Sequence, residues 1–285
     1  MNISIFINSF TSGGAEKVVL TLLDKFQQRK KELDLIIIEK EKFYEIPSDI
    51  PSTYLTQFNS LEKGPLKIPS LFVCASKLKK HVESNNIKIV QSHLIRATFI
   101  NGLAKMLGSK HYAQAIIHSQ MNFDHQPWIL RIFSKWIYRK IHFQMDSIIS
   151  ISDVMKYELD EYLGFKDHPN HIRIYNPHNL DDVKKMSEEV PTDFVFFPDK
   201  KYFISIGRLA KLKRLGDVIK AFSALENKNA ELIFVGNGEE ENRLKELTSQ
   251  LGLENLWSQI FHSLGEVACS ICSRFSNVTL EKFIP

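Results

Sequence analysis

Three stretches of this sequence hold residues whose types and spacing suit an anionic ligand. In SFTSGGAEKVV, residues 9–19, Gly13 and Gly14 separate an apolar run from a strongly patterned helix. Bare backbone N–H groups at a helix start make a ready site for a phosphate or another anion. In SIGRLAKLKRLGDVIKAF, residues 205–222, Arg208, Lys211, Lys213 and Arg214 crowd one loop just before a helix. Cations there oppose the helix dipole, which is poor for stability but good for a diphosphate. Arg208 offers a planar fork and Lys213 a point charge. For the lysines alone, a solvated basic loop is the plainer alternative. In AELIFVGNGEEENRL, residues 230–244, Gly236 and Gly238 end a strand, and the bland reading is a turn before a helix with an acidic first turn. His118 and His93 each sit at the carboxyl end of an expected strand, where a lone histidine is more often structural.

Other chemistries fit less well. A Rossmann dinucleotide site wants G-x-G-x-x-G. TSGGAEK does not supply it, although Glu39 at the end of the second strand could take the place of the ribose-binding acid. A tight turn with one glycine at positive φ remains the structural alternative for the glycine pair. Cys269 and Cys272 form a C-x-x-C with no second pair to complete a zinc site. With Cys74 they make three cysteines, which give no disulfide framework and suit a reducing compartment. No Asp-x-Asp element stands out, and LDDV at 180–183 reads as a solvated helix start, so no metal and no cofactor are expected. A net charge of +4 is mild; it fits anionic small molecules or an anionic surface and carries no nucleic-acid signature. The N-terminus has no signal-peptide pattern, and no run approaches the ~20 apolar residues of a membrane span, so a cytoplasmic protein is expected.

The elements that must position these residues alternate in type. Strands are expected at Ile3–Ile7, Leu33–Ile38, Ile87–Gln91, Ala113–Ile117, Ser147–Ile151, Ile172–Tyr175, Tyr202–Ile206 and Glu231–Val235. Their near-continuous Ile, Val and Phe suits parallel strands buried on both faces. Between them lie helix patterns; the clearest puts Ala15, Val18, Val19, Leu22, Leu23 and Phe26 on one face. This alternation argues an α/β fold. A charged, proline-containing stretch between about 178 and 200 precedes a fresh strand–loop–helix unit. The expected organisation is an N-terminal Rossmann-like domain at 1–185, a linker at 186–200 and a second domain at 201–285. Ligands of such sheets bind at strand carboxyl ends, and in a two-half protein in the cleft between halves.

The segment at 126–152 is basic and aromatic, with Trp128, Phe133, Trp136, Tyr138 and Phe143 among Arg131, Lys135, Arg139 and Lys140. It reads either as an amphipathic helix with its aromatics in the core, the expectation adopted, or as an interfacial helix that meets an anionic membrane.

Taken together, SFTSGGAEKVVLTLL, IYNPHNL, SIGRLAKLKRLGDVIKAF and LIFVGNGEEENRLKELTSQLGL resemble, in order, the motifs of the retaining GT-B glycosyltransferases of family four. The resemblance covers about residues 1–265. It implies two Rossmann-like parallel-sheet halves facing a cleft, with a nucleotide-sugar donor bound mainly by the C-terminal half and a glycan or lipid-linked acceptor held by the N-terminal half. Gly13 and Gly14 match the loop that lets the donor approach. Arg208 and Lys213 match the basic pair that stabilises the departing diphosphate in place of a metal, and His118 matches the histidine that positions the transferring sugar; His93 is its competitor. A cytoplasmic hexosyltransferase of envelope polysaccharide or lipopolysaccharide synthesis is implied, with peripheral contact at the inner membrane face as the alternative that the segment at 126–152 leaves open.

The resemblance weakens near the C-terminus. In SICSRFSNVTLEKFIP, Glu281 matches the acid that holds the nucleotide ribose, whereas Ser273 and Arg274 stand where the family has its first acid and a glycine. The preceding segment is short and the sequence stops at Pro285, so a truncated or degenerate second half is expected. The alternative function is then an inactive remnant that only binds a nucleotide or a partner.

Overall fold

Alternate residues of the first strand enter two different cores. Ile5 and Ile7 pack with Val19, Leu23, Leu35 and Ile37, whereas Phe6 packs with Ile36, Leu78, Ala97 and Ile100. Side chains alternate across a strand, so one covered on both faces must be apolar at every position. The computed structural model describes residues 2–253 except 12, 30–32, 41–43, 57–66, 120–122, 125, 179, 181–183, 186–196 and 226–228. The chain divides into two compact units, Met1–His178 and Asn179–Pro285.

In the first unit the elements run β1 (Ile3–Ile7), α1 (Gly14–Gln28), β2 (Leu33–Ile37), β3 (Ser52–Tyr54), α2 (Lys67–Ser84), β4 (Ile89–His93), α3 (Ile95–Met106), β5 (Tyr112–Ile117), α4 (Trp128–His142), β6 (Ser147–Ser150), α5 (Asp153–Leu163) and β7 (His171–Arg173). Their strands form one sheet of order β3-β2-β1-β4-β5-β6-β7, and every pairing is parallel. The chain winds one way from β1 to β3, then returns to the other side of β1 to place β4. That reversal leaves a switch point between the carboxyl ends of β1 and β4, where ligands of open α/β sheets bind.

In the second unit, β8 (Lys201–Ile206), α6 (Leu215–Ser223), β9 (Ala230–Val235) and α7 (Glu241–Gln250) surround a core of Leu209, Leu215, Ile219, Leu232, Phe234 and Leu244. β8 and β9 pair in parallel.

Two local differences from expectation matter. β4 lies two residues later than the apolar run Ile87–Gln91 suggested, so His93 is the last residue of the strand. The reason is pairing: Ile89 to His93 register against Tyr112 to Ile116 of β5. β3 has no apolar run to announce it, because a short edge strand needs only backbone partners on β2.

Candidate functional site

The carboxyl edge at the switch point is rich in polar groups. Beyond β1, Asn8 Oδ1 accepts from Ala97 N–H at 2.9 Å and so ties the end of β1 to the first turn of α3. Glu39, just past β2, is 2% exposed and takes a bidentate pair from Arg96 at 2.5 and 3.0 Å. The acid considered for a ribose is thus committed to an ion pair. Between β4 and α3 the chain turns through Leu94 at φ +69°, a conformation that costs a non-glycine residue on the order of 1–3 kcal/mol.

Gly13 and Gly14 stand at the start of α1 on this edge. Gly13 has φ −99° and Gly14 is helical, so the positive-φ turn is not what requires them. A Cβ on Gly13 would collide with the carboxylate of Glu16, while one on Gly14 would meet open space. Glu16 is buried and accepts from Thr11 Oγ1 at 2.8 Å. Its packing under the loop accounts for Gly13. Gly14 is exposed, and a Cβ there would meet no neighbouring atom. Sequence reasoning passed over Glu16, which forms part of the GGAE stretch itself.

His118 follows β5, and His93 ends the neighbouring β4. The two rings are in direct contact: His93 Nδ1 lies 2.8 Å from His118 Nε2, with the rings stacked at 5.1 Å between centroids. His93 Nε2 lies 3.0 Å from Gln91 Oε1. Burial lowers the His118 pKa to about 4, and burial followed by the neighbouring His118 holds His93 well below the usual histidine value. Both rings are neutral near pH 7. Beside His118, a cavity of ≈ 10 Å³ is lined by Thr98, Ser119, Tyr138 and His142 among others, which is room for about one water. Tyr138 Oη and His142 Nε2 are buried without a hydrogen-bond partner among the described residues. His142 Nδ1 donates to the Tyr138 carbonyl at 2.8 Å, so its Nε2 is an acceptor. Burial also lowers the His142 pKa to about 4 and raises that of Tyr138. Of these groups His118 is half-buried, whereas Tyr138 and His142 lie fully inside the unit.

In the second unit, Arg208 and Lys213 share the loop from β8 to α6. Arg208 reaches Glu239 at 3.0 Å through Nη2 and at 3.2 Å through Nε, and stays two-thirds exposed. Glu239 is held below the usual carboxylate range by its own backbone N–H and, less strongly, by Arg208. Lys213 closes a short 3-10 turn, Lys211–Lys213, and its side chain is exposed. Gly207 and Gly236 adopt φ +141° and +143°, and a Cβ on Gly236 would collide with the Gly207 carbonyl. The two strand-end loops lie backbone against backbone, with Gly207 N–H donating to Val235 O at 2.9 Å. Glu281, Ser273, Cys269 and Cys272 lie outside the described residues.

The core reading of the aromatic segment is corrected. Trp128, Ile129, Leu130, Ile132, Phe133 and Trp136 are each more than half exposed, and of the five aromatics singled out Tyr138 alone is in the core. α3 packs on α4, and the exposed apolar residues are concentrated in the N-terminal half of α4. α4 carries Arg131, Lys135, Arg139 and Lys140 and no acid. No helix among the described residues is long and apolar enough to cross a membrane.

Comparison with known proteins agrees with both units. Residues 12–182 match the model of Glycosyltransferase Family 4, and residues 186–262 that of Glycosyl transferases group 1. A curated relative from Campylobacter jejuni, N-acetylgalactosamine-N,N'-diacetylbacillosaminyl-diphospho-undecaprenol 4-alpha-N-acetylgalactosaminyltransferase, is 27% identical over 260 residues, covering 88% of this chain and 67% of its own. Among solved structures, sucrose-phosphate synthase from Thermosynechococcus elongatus superposes with TM-score 0.72 at 12% identity, over 96% of this chain and 73% of that one. A lipopolysaccharide outer core galactosyltransferase in its apo form gives 0.62 at 16% identity, over 90% and 66%. The chain thus spans about two thirds to three quarters of the length of these proteins. With a parallel sheet whose switch point gathers polar groups, a second α/β unit with a cationic strand-end loop, and a family model matched over more than half its length, this chain belongs to glycosyltransferase family 4, the group 1 glycosyltransferases with the GT-B fold.

Proposed function

We propose that the chain transfers a hexosyl unit from a nucleotide-sugar to a glycan or lipid-linked acceptor, with retention of configuration, in envelope polysaccharide or lipopolysaccharide synthesis. The observation that carries this is the exposed cationic loop of Arg208 and Lys213 at the carboxyl end of β8 in a family-4 chain. Charge builds on the departing nucleoside diphosphate as the glycosidic bond breaks. Fixed cations aimed at it lower the barrier without reorganisation. In this reading Arg208 and Lys213 bear that load and no metal is required. Arg208 leaves Glu239 for the diphosphate when donor binds. Gly13 and Gly14 let the donor come close, His118 positions the transferring sugar, and Glu281 holds the ribose.

A lipid-linked acceptor is supported by the Campylobacter jejuni relative, whose name specifies a diphospho-undecaprenol acceptor. The exposed aromatic and aliphatic residues of α4, with four cations and no acid, suit peripheral contact with an anionic bilayer from the cytoplasmic side.

The test is a transfer assay with a panel of nucleotide-sugars and undecaprenyl-diphosphate-linked acceptors, with and without EDTA, and NMR of the product anomer. Turnover insensitive to EDTA that gives the donor's anomeric configuration is the expected result. Loss of turnover in EDTA would overturn the metal-free assignment. Ser273 in place of an acid favours a second reading, a chain that binds donor without turning it over. Calorimetric binding of a nucleotide-sugar with no transfer to any acceptor would select it.

A further inference from the structure

A polar ladder crosses one face of the sheet. Gln91, Gln114 and Ser147 are direct register partners on β4, β5 and β6. Gln114 Nε2 donates to Ser147 Oγ at 3.0 Å, and Gln91 Nε2 donates to Gln114 Oε1 at 2.5 Å. With its amide nitrogen so used, Gln91 turns its carbonyl Oε1 to His93 Nε2. His93 lies two residues further along β4, on the same face.

A carbonyl oxygen only accepts, so His93 Nε2 carries the hydrogen of its ring. A neutral imidazole has one such hydrogen, which leaves a lone pair on His93 Nδ1. That lone pair faces His118 Nε2 at 2.8 Å, and His118 Nε2 must donate. His118 therefore keeps its hydrogen on Nε2 and presents a lone pair on Nδ1, which has no protein partner among the described residues. The groups that share its surroundings carry no charge: Leu94, Ile95 and Thr98 from the start of α3, Ser119, and Tyr138 and His142 from α4. Gln91 and Gln114 are half-buried, and Ser147 is buried. In this orientation of the two amides, the row sets the hydrogen position on His93 and, through it, on His118.

We infer that Gln91 and His93 are positioning residues that hold His118 in the Nε2–H tautomer, so that Nδ1 accepts a hydrogen bond from a hydroxyl of the bound sugar. This rests on the transferase reading. It adds that the subsite takes an O–H donor and disfavours a phosphate or carboxylate oxygen, whose lone pairs would meet that of Nδ1.

The experiment uses the full chain with ¹⁵N-labelled histidine. Long-range ¹H–¹⁵N spectra near pH 7 report which nitrogen of each ring is protonated. Nε2–H at both His93 and His118 is expected, and Nδ1–H at His118 would overturn the inference whether or not the chain has activity. Gln91→Leu removes the acceptor from His93; Gln91→Glu keeps one. In Gln91→Leu a second tautomer of His118 should appear, with kcat ten- to a hundredfold lower and donor KM little changed, in the range typical of outer partners of functional histidines. At a pH high enough to keep His93 neutral beside the new carboxylate, Gln91→Glu should restore the tautomer and most of kcat. A drop in kcat with the tautomer intact, or a tautomer unaffected by Gln91→Leu, would also overturn it. A wild-type chain without transfer activity that still shows the expected tautomers would sink the functional reading alone.

Discussion

At the scale of the residue, the two cations of the β8–α6 loop differ in how they are held. Arg208 is parked on Glu239, while Lys213 lies in solvent. An exposed ion pair adds little to stability, so both residues are available for a ligand at small structural cost. Arg208→Ala and Lys213→Ala should each lower kcat by about 10²–10³-fold, the range for removing one group that stabilises transition-state charge. Thermal melting should move by no more than a degree or two. A melting shift much larger than that, with kcat unchanged, would assign the pair to structure. Arg208 and Lys213 were legible in sequence because a cationic helix start is unusual. Glu239 as the Arg208 partner was not, because 31 residues separate them and only the pairing of β8 with β9 brings them together.

At the scale of the element, the glycines sort by what surrounds them. Gly236 is held at positive φ against the Gly207 carbonyl. Gly236→Ala should therefore destabilise by roughly 2–4 kcal/mol in urea unfolding, through strain at both backbone and contact. Gly14 opens a helix and meets nothing. Gly14→Ala should fold at least as stably as wild type, gaining up to about 1 kcal/mol from helix propensity, yet lose donor turnover if a ligand approaches there. A stable and fully active variant would show that no ligand depends on the bare backbone at this position. α4 supplies the other element-scale prediction. Trp128→Ser combined with Phe133→Ser and Trp136→Ser should cut co-sedimentation with phosphatidylglycerol vesicles at least tenfold, because each buried aromatic contributes about 1.5–3 kcal/mol. Vesicles of phosphatidylcholine alone should bind the wild type weakly. Equal binding to both lipids would show that the basic residues take no part. Periodicity marked α4 as a helix, but it could not say which aromatics face the body of the unit. That depends on where α3 lies.

At the scale of the whole molecule, buried neutral histidines make stability depend on pH. His111, His118 and His142 have pKa values lowered to about 4, with burial the first cause in each. Unfolded histidines titrate near 6.5. Between pH 4 and 6.5 the unfolded chain thus binds more protons than the folded one, and stability rises with pH across that window. It is fully present above about 6.5 and is lost as pH falls toward 4, by up to about 1.4 kcal/mol per histidine per pH unit. Urea midpoints measured from pH 4 to 7.5 should climb and then level off. A flat profile would show that these rings are accessible to protons in the folded state.

The amino-acid sequence by itself determined the alternation of strand and helix, the parallel α/β class, the ordered family motifs and the cationic loop. These are local or periodic properties, written in the order of residues. Only the tertiary structure decided that His93 and His118 share a hydrogen, that Glu39 answers Arg96, that Glu16 lies under Gly13 and that α4 turns its tryptophans outward. Each of these depends on which strand lies beside which. The register of β4 on β5 and the reversal at β1 are consequences of packing both faces of one sheet, which no short stretch of the chain encodes alone.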